Sequence, residues 1–312
     1  MSILRNECPH VLHRSAQSPV TQDVWIDTPL LVVAGYAKAQ ATLSDPIPVV
    51  TSVLHRAVQT AHGMGARTIH MVFDGPPRKL KDETREKRAI ATEARTQKVL
   101  ANPLKKDLEM AQLVVDWKDH KLAPVDTETL TEFLVESPSL EQTEALSFPE
   151  FSVVNRAAKE WVKQRQEATH GAVQYHHAKH DSEEYIAFHM KQGDLAISSD
   201  SDILCFGATW VVQHFATEKE TWIQLQDVLD ALKMTIDQFR VLCVLLGNDF
   251  NVRMKGCGPV KSLALVRGSS VDNPAAVMES RARLQFASDE DAEQWIGRAM
   301  ACLDVFQLKA YA

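Results

Sequence analysis

Apolar residues along this chain alternate between short runs that read as buried strands and longer stretches at helical spacing. Residues 22–34, Gln-Asp-Val-Trp-Ile-Asp-Thr-Pro-Leu-Leu-Val-Val-Ala, predict a strand reaching Asp27 and then a helix, with Pro29 at an early helical position. Ile47 to His62 places Val50, Val53, Leu54, Val58 and Ala61 at helical spacing before Gly63 and Gly65 end the run. Thr68 to Phe73 reads as the next strand, closed by the turn composition Asp74-Gly75-Pro76-Pro77. Farther on, the pattern predicts a helix over Phe151–Glu167, a strand over Gly171–His177, a helix over Asp181–Met190, and strands over Leu195–Ser199 and Trp210–Phe215. Amphipathic helices follow over Leu225–Met234 and Ile236–Leu246. Such alternation predicts an α/β sheet protein with helices on both faces. There is no internal repeat.

Two stretches break this rhythm. Residues 82–100 are rich in Glu, Arg, Lys and Ala without a strong apolar stripe, which suits a helix bridging solvent or gripping a charged partner. Residues 107–150 combine prolines, acids and weak periodicity, and read as an acidic insertion. Charge changes the picture here. The net charge is −7, yet residues 78–106 carry ten Lys/Arg against four Asp/Glu, and residues 107–150 carry eleven acids against two lysines. The basic run, with Arg78, Lys79, Arg85 and Lys87, follows Asp74 directly, so a phosphate backbone can be gripped there despite the acidic average. Five cysteines (8, 205, 243, 257 and 302) show no metal-like spacing and suit small core positions in a reducing compartment. No apolar stretch approaches the roughly 20 residues of a membrane span, and the polar N-terminus does not read as a secretory signal. The expectation is an intracellular protein, nuclear or cytoplasmic.

Seven acids fall in five short blocks: Val-Trp-Ile-Asp27, Val-Phe-Asp74-Gly, Asp181-Ser-Glu183, Ser-Ser-Asp200-Ser-Asp202 and Leu-Gly-Asn-Asp249-Phe. Asp27, Asp74 and Asp200 close or follow predicted strands, where an α/β sheet builds its polar rim. Converging carboxylates repel one another unless cations neutralise them. Oxygen-only ligands select hard ions, with Mg²⁺ or Mn²⁺ the natural candidates. The chemistry expected is magnesium-dependent phosphodiester cleavage.

These blocks, in this order, together with Ser199-Asp-Ser-Asp-Ile-Leu-Cys-Phe-Gly and Lys255-Gly-Cys-Gly-Pro-Val-Lys261, resemble the flap endonuclease/XPG superfamily of structure-specific 5′ nucleases over roughly residues 22–270. The resemblance implies a PIN-like three-layer α/β/α sandwich with a mostly parallel central sheet, a helical arch and a helix–two-turn–helix. It implies that Asp27, Asp74, Asp181 and Glu183 form a first group of metal ligands and Asp200, Asp202 and Asp249 a second, holding two Mg²⁺ ions, with Mn²⁺ able to substitute. Lys81 and Arg88 match basic residues at the base of the arch that steer the scissile phosphate. Gly256, Gly258 and Lys261 match the backbone-gripping turn, where that family often holds K⁺. The segments implied are 1–106, nuclease region and start of the arch; 107–150, insertion; 151–250, internal nuclease region; and 251–312, helix–two-turn–helix and C-terminal helices.

Departures are the opening Met1-Ser2-Ile3-Leu4 in place of a Met-Gly-Ile segment, the extra acid Glu184, which competes for the Glu183 role, and the long span between Arg88 and Asp181. No sliding-clamp box follows residue 300, and a monomer is expected. The function implied is two-metal cleavage of flapped or branched DNA in replication, repair or recombination. The alternatives are an RNA-directed endonuclease and a catalytically silent nucleic-acid-binding scaffold. Trp25, Phe73 and the stripe Phe239, Leu242, Cys243, Leu246 read as core packing. His176, His177 and His180 read as surface or phosphate-adjacent rather than metal-binding, because neither cysteines nor an HExxH context accompanies them.

Overall fold

The computed structural model describes residues 23–42, 44–82, 86, 149–213, 221–254, 256–268, 273–309 and 311. Its centre is a six-stranded sheet in the order β3-β2-β1-β4-β5-β6. The strands are β1 (Asp23–Asp27), β2 (Thr68–Phe73), β3 (Val173–His177), β4 (Leu195–Ile197), β5 (Trp210–Gln213) and β6 (Thr221–Gln224). All neighbouring pairs are parallel except β5 and β6. The chain builds outward from β1 through β2 to β3, then returns to the other flank of β1 to lay down β4. The reversal makes the β1/β4 boundary a topological switch point, where the carboxyl ends of strands open a crevice.

Pleating sends alternate residues to opposite faces, and this divides the core in two. Val24 and Ile26 join Ile69, Met71, Phe73, Leu195 and Ile197 in one cluster. Helices α2 (Pro46–Gly63) and α3 (Phe151–Ala168) cover it through Val50, Leu54, Val58, Val154, Ala158 and Val162. Trp25, Val72 and Ala196 face the other cluster. That side is covered by α4 (Ser182–His189), α5 (Ile203–Phe206), α6 (Leu225–Leu232), α7 (Ile236–Leu246), α8 (Pro259–Arg267), α9 (Pro274–Gln285) and α10 (Asp289–Phe306). Helix α1 (Thr28–Ala41) starts at the residue after β1, with proline in its first turn. The result is the three-layer α/β/α architecture with a mostly parallel sheet.

Segments on both sides of the acidic insertion share this one sheet: β1 and β2 precede it and β3 to β6 follow it. Nearly all of the polar helix expected over 82–100, and residues 107–148 of the insertion, lie outside the described residues, as does Cys8. Strand β6 and the one-turn α5 are additions to the expected elements. Thr221–Gln224 is only four residues long, with its two apolar residues adjacent rather than alternating, and its pairing with β5 is what makes it a strand. The remaining cysteines, Cys205, Cys243, Cys257 and Cys302, are free, and all but the half-exposed Cys243 are buried. No helix among the described residues is long and apolar enough to cross a membrane.

Candidate active site

Asp27 is the last residue of β1 and shares the α4-side face of the sheet with Trp25. Only 2 % of it is exposed. Its two carboxylate oxygens are taken by two buried serines: Ser182 Oγ donates to Oδ1 (2.8 Å) and Ser198 Oγ to Oδ2 (2.7 Å). Burial lifts the Asp27 carboxyl to about 7; the two hydroxyls oppose the rise, and the charges of Asp74 and Asp200 add to it.

Asp74 follows β2 and accepts a hydrogen bond from the Ser182 backbone N–H (2.9 Å). Gly75 makes this junction possible. Its N–H donates to His180 O (2.6 Å), and a Cβ there would lie 2.3 Å from Ala178 O and 2.7 Å from Lys179 O. Only a residue without a side chain lets the 178–180 backbone pass this close. That passage delivers the start of α4 to the end of β2, so the glycine of the Asp-Gly turn positions the Asp181–Glu183 block against Asp74.

At the start of α4 the two acids part company. Glu183 points to the sheet. Burial, then the charges of Asp27, Asp200 and Asp74, push its carboxyl well above the ordinary range, while Lys81 pulls it back. Asp181, at the N-cap with extended backbone, turns instead to Lys81 Nζ (2.6 Å) and Arg78 Nε (3.8 Å). Across the switch point, Asp200 follows β4, its N–H bonded to Ser198 Oγ (3.1 Å), and its Oδ1 accepts from Asp202 N (2.9 Å). Asp202 is lifted to about 7 by burial and by the charges of Asp200 and Asp249; Lys81 and a bond from the Asp249 backbone lower it.

Asp249 lies in the loop after α7. There Asn248 Oδ1 accepts from Phe250 N (2.8 Å) and Asn251 N (3.0 Å), a side chain standing in for a turn. Gly247, at φ +83°, begins the loop, and a Cβ on it would come within 2.7 Å of Arg253 N. The stripe behind it is core: Phe239 and Leu242 are buried, and Cys243 and Leu246 pack against the same cluster.

Lys81 is the cation common to both groups of acids. Burial works against its charge, but Asp181, then Glu183 and Asp249, raise its pKa, so it remains an ammonium. Its Nζ also lies 4.5 Å from the centroid of the Phe250 ring.

Six carboxylates thus influence one another at the carboxyl ends of β1, β2 and β4. Among the described residues, no three acid, histidine or cysteine side chains meet as a ready-made metal cage. The donor set nevertheless fits hard divalent cations. It is all oxygen, and the carboxyls are raised first by burial and then by one another's charge, both of which a bound cation would offset.

Residues 172–249, the stretch holding β3 through the Asp249 loop, match the XPG I-region family. Over that stretch the chain is similar to flap endonuclease/XPG-type nucleases. A flap endonuclease 1 of Komagataella phaffii is 35% identical over 77 residues, 23% of this chain and 21% of that relative. One of Enterocytozoon bieneusi is 27% identical over 110 residues, 33% of this chain and 31% of the relative. The alignments therefore span only about a fifth to a third of these curated relatives. Among solved structures, the catalytic core of Rad2 in complex with DNA substrate superposes with a TM-score of 0.56 at 16% identity, covering 98% of this chain and 85% of that one. Human GEN1 in complex with Holliday junction DNA gives 0.53 at 14%, covering 99% and 64%. At such identities the structural likeness establishes the shared fold.

The basic residues of this chain are placed unevenly. Lys79 is exposed, whereas Arg78 is spent internally: its Nη2 donates to both Glu184 oxygens (2.5 and 2.6 Å), and Glu184 is fully buried. Glu184 therefore does not stand in for Glu183, and the Arg78 guanidinium is not free to meet a phosphate. Arg85, Lys87 and Arg88 lie outside the described residues. Gly256 is exposed in the loop before α8, Gly258 is that helix's N-cap, and Lys261 is exposed on its first turn.

The expectation for the histidines needs correction at His176. It is half-buried on β3, its Nε2 2.9 Å from His70 Nδ1 and its Nδ1 3.1 Å from Tyr185 Oη. His70 stacks on Trp25 at 3.8 Å, and His189 of α4 stacks on Tyr185 at 4.0 Å. Burial, with His70 and His189, lowers His176 to about 4, and burial lowers His70 as well, so these two imidazoles are neutral packing groups between the sheet and α4. A histidine on a strand reads as exposed only when the face it shares is unknown. Sequence reasoning also missed Ser182 and Ser198. Each lies beside an acid block, but the carboxylate both hydroxyls serve, Asp27, is 155 and 171 residues away in sequence, so no local signal revealed the partnership.

Proposed function

We propose that this chain is a divalent-metal-dependent, structure-specific endonuclease that hydrolyses phosphodiester bonds in flapped or branched DNA. The observation that carries the reading is the gathering of Asp27, Asp74, Glu183, Asp200, Asp202 and Asp249 around one lysine at the switch point of the sheet. In this reading those acids hold two Mg²⁺ ions, with Mn²⁺ able to substitute. Bound there, such ions supply an activated water and stabilise the attacking and leaving oxygens of an in-line displacement.

The chain's own groups do the rest. Ser182 and Ser198 fix the orientation of the Asp27 carboxylate, and the Ser182 N–H fixes that of Asp74. Asp181 contributes by holding the Lys81 ammonium at the mouth of the acid group, where it meets the scissile phosphate as charge builds. Lys79, with Arg85, Lys87 and Arg88, extends that grip along the basic stretch. Gly256, Gly258 and Lys261 bring loop backbone, the N-terminus of α8 and one ammonium to duplex phosphates, with K⁺ a natural companion in the loop.

Incubation of the purified protein with a labelled 5′-flap duplex, in Mg²⁺ and in EDTA, tests this directly. Cleavage at the junction in Mg²⁺ alone is expected. Equal cleavage in EDTA, or none with any divalent ion, defeats the proposal, and preferential digestion of single-stranded RNA in a parallel arm moves the substrate class.

A further inference from the structure

We propose that Arg298 is a positioning residue that locks the Lys81-bearing turn to the Asp249-bearing loop; this rests on the nuclease reading above. Arg298 projects from α10 and is partly buried. Its Nε donates to Phe250 O (3.1 Å), and its Nη2 donates to Leu80 O (3.1 Å). The two carbonyls belong to the immediate chain neighbours of Asp249 and Lys81. One planar guanidinium therefore spans two segments that meet only in the folded protein.

The surrounding contacts divide the work. The Asp249 loop has a second tie to α10, Trp295 Nε1 donating to Val252 O (3.1 Å), and Phe250 sits edge-on to Phe206 and Phe306 at 6.3 and 5.8 Å. The turn Lys79–Lys81 is held to α4 through Arg78–Glu184 and Lys81–Asp181. Toward the C-terminal half, Leu80 packs against the α10 core and Lys81 Nζ lies over the Phe250 ring, and the Arg298 hydrogen bond to Leu80 O fixes the direction of the turn among these contacts. Removing its side chain leaves Asp249 seated and leaves Lys81 paired with Asp181, but releases the distance between ammonium and loop. A lysine cannot replace it, because a single ammonium on a flexible stem does not hold two carbonyls in fixed directions.

The test is a double-mutant cycle in cleavage kinetics with Arg298→Met and Lys81→Met. Alone, Arg298→Met should lower kcat on the order of 10- to 100-fold with KM changed less than about threefold, the pattern of an interaction that counts only in the transition state. Arg298→Lys should restore little. In the Lys81→Met background, Arg298→Met should add less than about twofold, because groups acting as a unit are not additive. Trp295→Phe, which removes the Val252 hydrogen bond alone, serves as the stability control and should keep kcat within about threefold.

A rise in KM with kcat intact, or independent multiplication of the two single effects, overturns the proposal. So does full recovery with Arg298→Lys. If the wild type cleaves nothing, the nuclease reading fails, and hydrogen exchange then tests the lock by itself. Amides 79–82 should exchange faster in Arg298→Met and not in Trp295→Phe; unchanged exchange there also overturns it.

Discussion

Replacing Asp27 with asparagine separates what this carboxylate does for the fold from what it does for the site. In the metal-free protein the carboxyl titrates near 7 instead of 3.8, chiefly because it is buried. Each unit is worth about 1.4 kcal/mol, so ionising Asp27 in the folded state opposes folding by roughly 4 kcal/mol at most. The sign follows from linkage. Between pH 4 and 7 the folded protein binds the proton that the unfolded chain has released, so stability falls as pH rises through that window and levels off above it. Asparagine has the same shape, can still engage Ser182 and Ser198, and has nothing to ionise. Asp27→Asn should therefore be more stable than wild type in EDTA at pH 8 by about 1–4 kcal/mol, and by clearly less at pH 5. At about 2–4 °C per kcal/mol for a domain of this class, the gap at pH 8 is several degrees. Added Mg²⁺ should stabilise the wild type by mass action and leave the variant nearly unmoved. Differential scanning calorimetry at the two pH values, with and without Mg²⁺, reads all four terms. A variant less stable than wild type in EDTA at pH 8, or one with an undiminished Mg²⁺ response, refutes the reasoning.

Four further outcomes are expected. At limiting Mg²⁺, kcat/KM for flap cleavage should rise with pH through about 7, as Asp27 and Asp202 lose their protons, and this limb should move to lower pH as Mg²⁺ is raised; an acid limb that ignores Mg²⁺ would count against the ligand assignment. Lys81→Met should lower kcat on the order of 10²- to 10³-fold with DNA affinity, by fluorescence anisotropy, within a few fold. Gly75→Ala should destabilise by about 1–3 kcal/mol in urea and depress cleavage as well, because its Cβ meets Ala178 O and displaces the start of α4. Arg78→Met should destabilise by about 3–5 kcal/mol, leaving Glu184 charged and buried, and Arg78→Met with Glu184→Leu should recover much of it. An Arg78→Met protein of normal stability but weak DNA binding would return Arg78 to the substrate surface.

Much of this architecture was legible in one dimension because it rests on local periodicity. The apolar runs ending at Asp27 and Phe73 are strands, and the stripe from Phe239 to Leu246 is a helix against the core, since burial on one face dictates those spacings wherever the element goes. The ordered acid blocks likewise pointed to the resemblance that residues 172–249 bear out, because strand ends deliver side chains to one rim of an α/β sheet. Partnership was not legible. Arg78 and Lys79 are adjacent in the same basic run, yet one is consumed by Glu184 and the other faces solvent. Asp181 and Glu183 are two residues apart, yet the N-cap turns one toward Lys81 and the helix turns the other toward Asp27. His176 looked like surface until β3 aligned it with His70 and Trp25. A sequence fixes which groups are present and how they are spaced along one element. Which charge neutralises which depends on distances between elements, and those distances exist only once the sheet order and the packing of α4 and α10 have closed the chain on itself.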